Sequence, residues 1–188
     1  DGSPVGLEAT APPEAALETN LIVNGDGEME RGYDDFFPDA ALPGWIDSGY
    51  ATAVRYGGSG FPSIEGGGPM ERGENFLCGG GVSYDTQISQ DIDLTDLAEP
   101  IDGGAIGYQL KAWLGGYADQ DDRAEVRVEF FDASGAAMAT EFLPAVTAAE
   151  RDEETGFKSR ARFGMVPPFV RSVTVTVNFI RASGYNDG

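Results

Sequence analysis

The sequence predicts an all-β protein built as a two-sheet antiparallel sandwich. Short β-rich runs alternate apolar and polar residues: in RSVTVTVNFI, residues 171–180, valines and a phenylalanine take every second position from Val173 to Phe179. Such alternation is typical of antiparallel strands with one buried face. Glycine, 27 residues in all, separates the runs and suits turns. No helix-period segment of ten or more residues competes, so the class is all-β.

The first 19 residues differ in composition from the rest. DGSPVGLEATAPPEAALET is rich in Pro, Ala, Glu and Gly and shows no sustained period. Such a composition favours a flexible N-terminal arm or linker over residues 1–19. We therefore place a single sandwich domain at residues 20–188.

Nine runs in that domain are predicted as strands. In order they are NLIVN (20–24), YATAVRY (50–56), NFLCG (75–79), DTQISQDIDL (85–94), GAIGYQLKAWL (104–114), RAEVRVEFF (123–131), AAMATEFL (136–143), RARFGMV (160–166) and RSVTVTVNFI (171–180). Their spacing and the intervening glycine clusters indicate hairpins and loops of a sandwich.

The chain is strongly acidic, with 32 Asp plus Glu against 12 Lys plus Arg and a formal charge of −20. Such a surface repels phosphate backbones and anionic lipids, so nucleic acid and membrane surfaces are poor partners. No apolar run is long enough to insert in a membrane. The charge suits a soluble extracellular protein, the surface of a halophile's protein or a binder of cations.

Histidine is absent and Cys78 is the sole cysteine. The sequence therefore excludes Ser-His-Asp and Cys-His nucleophile arrangements, histidine zinc sites and an intrachain disulfide. Cys78, in NFLCGGG, is expected to be a small buried apolar residue. Paired carboxylates would suffice for glycoside hydrolysis, but no pair stands out among 32 acids, and we predict that the protein is not an enzyme.

Several motifs resemble one family in the same order. NLIVNGDGE (20–28), FPSIEGGGPMERGENFLCGG (61–80), QISQDIDL (87–94), WLGGYADQDD (113–122) and GYNDG (184–188) are similar to motifs of bacterial extracellular galactose-binding-like jelly-roll domains. The resemblance implies a jelly roll of about eight strands, commonly with a structural calcium ion. It also implies kinship with carbohydrate-binding modules of secreted enzymes and surface proteins.

The end of the chain departs from that family. There the YNDG turn continues into a closing strand, whereas here the sequence stops at Gly188. A missing neighbour would leave the strand at 171–181 with unpaired backbone groups, an edge that invites another chain. We expect the position beside it to be vacant, through truncation or continuation of the natural chain, or filled by a segment from outside residues 20–188.

Two acidic clusters are candidate calcium ligands. Asn24, Asp26 and Glu28 alternate, so their side chains would share a direction if a strand ran through them; Asp121 lies in YADQDD and Asp187 in the last turn. Calcium takes six to eight oxygens from carboxylates, amides and carbonyls. The alternative is that these carboxylates are solvated turn residues.

A sugar site is predicted on one strand. In YQLKAWLGGY, Gln109, Lys111 and Trp113 share one face, where the indole could stack on a sugar and the polar groups bind hydroxyls, with Tyr117 in the following loop. The alternative is that Trp113 is ordinary packing on a covered strand. Trp45, in LPGWIDSGY, is expected to pack under a turn.

The leading interpretation is a secreted or cell-surface module that binds glycan or extracellular matrix polysaccharide and is stabilised by calcium. An adhesive role would follow. The alternative is a structural subunit of a surface layer or filament that self-associates through its N-terminal arm and an open C-terminal edge.

Overall fold

The computed structural model describes residues 19–36, 41–58, 60–82 and 84–185, together with the backbone of residues 5–10. These residues form eleven strands and one short helix. They are β1 (Val5–Thr10), β2 (Thr19–Asn20), β3 (Ile46–Asp47), β4 (Thr52–Arg55), β5 (Asn75–Cys78), β6 (Thr86–Asp93), α1 (Ala98–Asp102), β7 (Gly107–Gly116), β8 (Arg123–Asp132), β9 (Ala137–Leu143), β10 (Gly156–Met165) and β11 (Val170–Ile180).

The strands form two antiparallel sheets and a hairpin. The first sheet has the order β10-β7-β1-β2, the second β3-β6-β11-β8-β9, and β4 pairs with β5. From β6 to β8 and again from β9 to β11 the chain crosses between the two sheets, as in a jelly roll. The predicted class, an all-β two-sheet sandwich of jelly-roll type, is confirmed.

The core lies between the sheets and follows the predicted alternation. On β11 the residues from Val173 to Phe179 at odd positions are at most 2% exposed, and Val126, Val128 and Phe130 of β8 are at most 1% exposed. Leu110 and Ala112 of β7 face them from the first sheet and are fully buried. Each such aliphatic or aromatic side chain contributes roughly 1.5–3 kcal/mol by leaving water.

The prediction of an open C-terminal edge is wrong. β11 is the middle strand of the five: Val173 is in register with Ile92 of β6 on one side and Phe130 of β8 on the other. Both neighbours come from within residues 20–188. Alternation shows which residues of a strand are buried, but pairing partners 40 to 80 residues away leave no local pattern. The alternative interpretation, a filament subunit, can therefore not use an open edge at β11 for self-association.

The N-terminal segment predicted as an arm or linker includes a strand of the first sheet. β1 pairs with β7 along its whole length, from Val5 opposite Ala112 to Thr10 opposite Gly107. Residues 1–4 and 11–18 lie outside the described residues. The division of the chain at residue 20 stays a prediction.

Two expectations about single residues are confirmed. Cys78 is 1% exposed. Trp45 is also buried, and its Nε1 donates to the carbonyl of Asn24 at 3.0 Å, under the turn around Gly44. In the described part of the chain, helices are too short and too polar to cross a membrane.

Candidate functional site

A cavity of about 410 Å³ opens at one end of the sandwich. Five separate parts of the chain line it: the segment before residue 37, the β4–β5 loop with β5, the β7–β8 loop, the start of β10 and the segment after β11. Its aromatic lining consists of Phe36, Phe61, Phe76, Tyr117, Phe157 and Tyr185, and its polar lining of Asp35, Gln120 and Thr155. A volume of this size falls within the range of small-molecule sites.

The floor is a set of edge-to-face phenyl rings. Phe76 on β5 is 6% exposed, with ring centroids 5.3 Å from Phe157 and 5.7 Å from Phe61, at interplanar angles of 74° and 87°. This geometry matches the preference of aromatic pairs and holds each ring in place. The floor is therefore rigid and apolar.

The rim presents two tyrosine rings to solvent. Tyr117 is 38% exposed and Tyr185 is 60% exposed. The Tyr185 ring lies 5.2 Å from that of Phe36, which packs 5.1 Å from Phe61. An exposed ring backed by other rings offers a flat face to a ligand at little cost in side-chain entropy.

A buried arginine builds the wall that carries Tyr117 and Gln120. Arg151, 3% exposed, donates to the carbonyls of Ala118 at 3.0 Å and Gln120 at 3.1 Å, and to that of Glu154. Burial lowers the pKa of Arg151. Its guanidinium thus ties the β7–β8 loop to the loop before β10, and its charge is directed at backbone oxygens.

A buried carboxylate anchors the opposite wall. Asp122, 1% exposed, accepts hydrogen bonds through Oδ1 from the backbone N–H of Ala182 at 2.6 Å and of Ser183 at 2.8 Å. Arg181 Nε donates to the carbonyl of Gly184 at 2.8 Å. These bonds fold the segment after β11 back over the β7–β8 loop and place Tyr185 at the rim. The RASGY turn therefore completes the cavity.

The polar lining is rich in acceptors. Oε1 of Gln120 is buried and has no hydrogen-bond partner among the described residues. Oγ1 of Thr155 accepts from the N–H of Ala118 at 3.0 Å, which leaves its hydroxyl proton to donate. The Asp35 carboxylate accepts from the neighbouring N–H of Phe36 at 2.8 Å. A ligand with hydroxyl groups, which both donate and accept hydrogen bonds, would match this lining.

Behind the floor lies a tyrosine with a structural role. The Tyr56 ring packs 5.0 Å from Phe76, with the Arg72 guanidinium 5.2 Å from its centroid. Burial raises the pKa of Tyr56 to about 12, so the phenol is neutral at physiological pH. Arg72 also donates to the carbonyl of Gly66 at 2.8 Å, which holds the glycine-rich β4–β5 loop against the hairpin.

The predicted calcium ligands at residues 24–28 do not share a strand face. The chain turns at residues 23–26, and Asn24 takes the left-handed conformation with φ of 55°. Oδ1 of Asn24 accepts from the N–H of Met29 at 2.9 Å, and Oδ1 of Asp26 from that of Glu28 at 3.2 Å. Oε1 of Glu28 accepts from the N–H of Asn75 at 2.7 Å. The assumption of a continuous strand through these residues is wrong.

The other predicted metal ligands lie elsewhere. Asp121 is exposed in the β7–β8 loop, and Asp187 lies outside the described residues. Within the described ranges, no group of three or more Cys, Asp or Glu side chains is arranged to hold a metal ion. Calcium binding stays a prediction.

The predicted sugar-binding residues separate into two places. Tyr117 lines the end cavity. Gln109, Lys111 and Trp113 are half-buried and alternate with the buried face of β7, so they lie on the outer face of the first sheet. Trp113 is in register with Ser159 of β10. The sequence did not single out Phe36, Phe61, Phe157 or Gln120, because the cavity forms only when distant loops meet.

A second, shallower depression of about 530 Å³ lies on the outer face of the second sheet. Gln87, Asn178 and Glu125 stand in register across β6, β11 and β8, beside Phe142, which is 50% exposed. Its described lining is mainly polar and includes one aromatic ring, whereas the described lining of the end cavity includes six. The end cavity is therefore the stronger candidate site.

No family model and no curated protein matches the chain. Among solved structures, it is similar to the enzymatically active domain of tailspike protein 4 from bacteriophage CBA120, with TM-score 0.46 and 18% identity over 88% of this chain and 20% of that one. The xylanase 10B carbohydrate-binding and catalytic modules of Clostridium thermocellum, complexed with xylohexaose, give TM-score 0.39 and 14% identity over 81% and 25%. A carbohydrate-binding module of the β-sandwich superfamily gives a TM-score of 0.25 and 12% identity, over 82% of this chain and 58% of that one. Because all three likenesses are weak, the fold class rests on the strands and registers described above.

Proposed function

We propose that the chain is a non-catalytic carbohydrate-binding module and that the end cavity binds a sugar ring. The observation that carries this proposal is the combination of exposed Tyr117 and Tyr185 rings with Oε1 of Gln120, which has no partner among the described residues, in one cavity. Sugars present both apolar C–H faces and hydroxyl groups. They therefore match a site that offers aromatic faces beside hydrogen-bond acceptors.

The aromatic part of the site supports a ligand with a flat apolar face, such as the C–H face of a sugar ring. Tyr185 is held against Phe36 at 5.2 Å, so its exposed face needs little ordering when a ligand stacks on it. Burial of apolar ligand surface on the phenyl floor adds affinity, by about 25 cal/mol for each Å² removed from water. Pre-positioned rings reduce the entropy lost on binding.

The polar part of the site supports a ligand with hydroxyl groups. A buried acceptor without a partner costs free energy, roughly 1–3 kcal/mol, and within the described ranges Oε1 of Gln120 is such an acceptor. A sugar hydroxyl that donates to it would recover this free energy. The Thr155 hydroxyl and the Asp35 carboxylate provide further hydrogen-bonding groups around the ring.

Binding without hydrolysis is the form of the proposal that the lining supports. Glycoside hydrolysis commonly uses two carboxylic acids on either side of the scissile bond. Among the described lining residues, Asp35 is the sole carboxylic acid. The secreted or cell-surface location, the polysaccharide partner in the extracellular matrix and the calcium ion are further parts of the proposal.

Glycan-array screening followed by titration calorimetry tests the proposal. We expect Tyr185→Ala to weaken binding about tenfold, since a sugar ring stacked on the tyrosine would remove roughly 60 Å² of apolar surface from water, which corresponds to about 1.5 kcal/mol. Phe163→Ala is the matched control, because Phe163 is 69% exposed and lies on β10 outside the cavity lining. Absence of binding to any glycan, or equal affinity of the Tyr185→Ala and Phe163→Ala proteins, would contradict the proposal.

The outer face of β7 remains the alternative position for a sugar. Trp113→Ala in the same assay distinguishes the two surfaces. Loss of binding in Trp113→Ala with full binding in Tyr185→Ala would move the site to the face that carries Gln109 and Lys111. The reverse result would assign the site to the end cavity.

A further inference from the structure

We infer that the end cavity selects neutral sugars and rejects their acidic counterparts, such as uronates. This inference rests on the proposed function and specifies its ligand class. It follows from the signs of the charges and the direction of the hydrogen bonds around the cavity. Three observations carry it.

The cavity presents acceptors to its ligand. Oε1 of Gln120 is buried without a partner in the described part of the chain, and the Asp35 carboxylate stands at the rim. A hydroxyl group donates to either. A carboxylate on the ligand has no proton to give at neutral pH, so it makes no hydrogen bond to these two oxygens. The Thr155 hydroxyl can donate to it, but one neutral donor does not replace the hydration that the carboxylate loses.

Two arginines beside the cavity hold its walls through backbone carbonyls. The Arg151 guanidinium binds the carbonyls of Ala118, Gln120 and Glu154, and Arg181 Nε donates to the carbonyl of Gly184. Neither arginine is among the lining residues, and the described lining contains no Lys or Arg side chain. Recognition of a carboxylate or sulfate normally uses such a cation, often in a bidentate pair.

The rest of the molecule adds a long-range effect of the same sign. The formal charge is −20, and the β7–β8 loop beside the cavity carries Asp119 and Asp121. Asp34, next to Asp35, is paired with Arg55 at 3.4 Å and adds little to this effect. At low ionic strength these charges disfavour the approach of an anion. Salt screens this long-range repulsion. It does not change the lack of a lysine or arginine among the described lining residues to bind a ligand carboxylate.

The test compares matched sugars that differ by one carboxylate. Methyl galactoside is paired with the methyl galacturonide of the same anomer, and β-1,4-mannan oligosaccharides are paired with β-1,4-mannuronate oligosaccharides of the same length. Affinity is measured by calorimetry at 50 mM and 500 mM NaCl. We expect the neutral member of the bound pair to bind at least tenfold more tightly at both salt concentrations. Equal or tighter binding of the uronate would overturn the inference and leave the proposed function standing.

Charge-reversal variants locate the cause. Asp35→Lys should reduce the ratio of the affinities for the neutral and the acidic sugar at least tenfold, because it places a cation at the rim. Asp96→Lys makes the same change in net charge at an exposed residue outside the cavity and should leave this ratio nearly unchanged at 500 mM NaCl. If Asp96→Lys reduces the ratio as much as Asp35→Lys, local selection is refuted. If no sugar of either class binds, the proposed function fails and the inference falls with it.

Discussion

At the residue scale, buried charges determine the shape of the site. Arg151 is far from β7 in sequence, yet it fixes the loop that carries Tyr117 and Gln120 through backbone carbonyls. Asp122 does the same for the segment that carries Tyr185. Both charged groups bind backbone groups of the walls and do not line the cavity. Among the described lining residues, Asp35 alone carries a charge.

We expect Arg151→Met to destabilise the fold by about 2–4 kcal/mol, since it leaves three partly buried carbonyls without their donor. It should also weaken sugar binding, because the wall loses its tie. Urea unfolding and calorimetry measure the two effects. Arg31→Met, at an exposed arginine, is the control and should change stability by about 0.5 kcal/mol or less. A stable Arg151→Met protein with unchanged binding would show that the wall holds without this residue.

At the element scale, local sequence patterns predicted the strands well but did not predict which strands pair with each other in the sheets. β6, β7, β8 and β11 correspond to predicted runs because each has a buried face with period two. β1 was missed because VGLEAT has two small residues and a Pro-rich flank, so its strand state depends on pairing with β7. The central position of β11 likewise depends on partners distant in sequence.

The β8–β9 hairpin depends on a carboxylate that titrates. Asp132 Oδ1 accepts from the Ser134 hydroxyl at 2.6 Å, the Ser134 N–H at 2.8 Å and the Ala136 N–H at 3.0 Å. The Ser134 hydroxyl contributes most to holding the pKa of Asp132 below its ordinary value, followed by the Ala136 N–H. Because the pKa of Asp132 is lower in the folded protein than in the unfolded chain, where it is about 3.9, the ionised carboxylate stabilises the fold at pH values above about 3.9. That stability is lost as the pH falls through the folded pKa.

Asp132→Asn should therefore lower the melting temperature by a constant amount between pH 7 and about pH 5, with the difference shrinking below about pH 4. Thermal unfolding at stepped pH measures this. Asp96→Asn is the control at an exposed aspartate and should follow the wild type throughout. If the melting temperatures of the wild type and Asp132→Asn differ by the same amount down to pH 3, the carboxylate charge does not stabilise the hairpin.

At the scale of the whole molecule, the candidate site is a product of topology. Tyr117 was identified as a loop aromatic from the sequence, but nothing local relates it to Phe36, Phe61 or Tyr185, which lie 56 or more positions away. The sandwich brings these loops to one end, and the buried charges fix them there. Sequence reasoning could therefore name an aromatic member of the site and could not assemble it.

The proposed calcium site belongs to the scale of the whole molecule, because its predicted ligands come from distant segments. In the turn at residues 24–28, protein N–H groups already use Oδ1 of Asn24 and Oε1 of Glu28. An ion there would have to bind remaining oxygens, such as the second oxygen of each carboxylate, with Asp121 or Asp187 from other segments. Ligands assembled only in the native state raise the free energy of unfolding by mass action.

If calcium binds with a free concentration 100 times its Kd, the gain is about 2.7 kcal/mol, which corresponds to a melting temperature higher by roughly 5–10 °C for a chain of this size. Scanning calorimetry in 1 mM CaCl2 and in EDTA measures the shift. Because a chain with a charge of −20 attracts any divalent cation, 1 mM MgCl2 is the necessary control, and Glu28→Gln should reduce the calcium effect alone. Equal melting temperatures in calcium and EDTA, or the same shift with magnesium, would remove the specific calcium site and leave the turn held by the Asn24 and Glu28 hydrogen bonds.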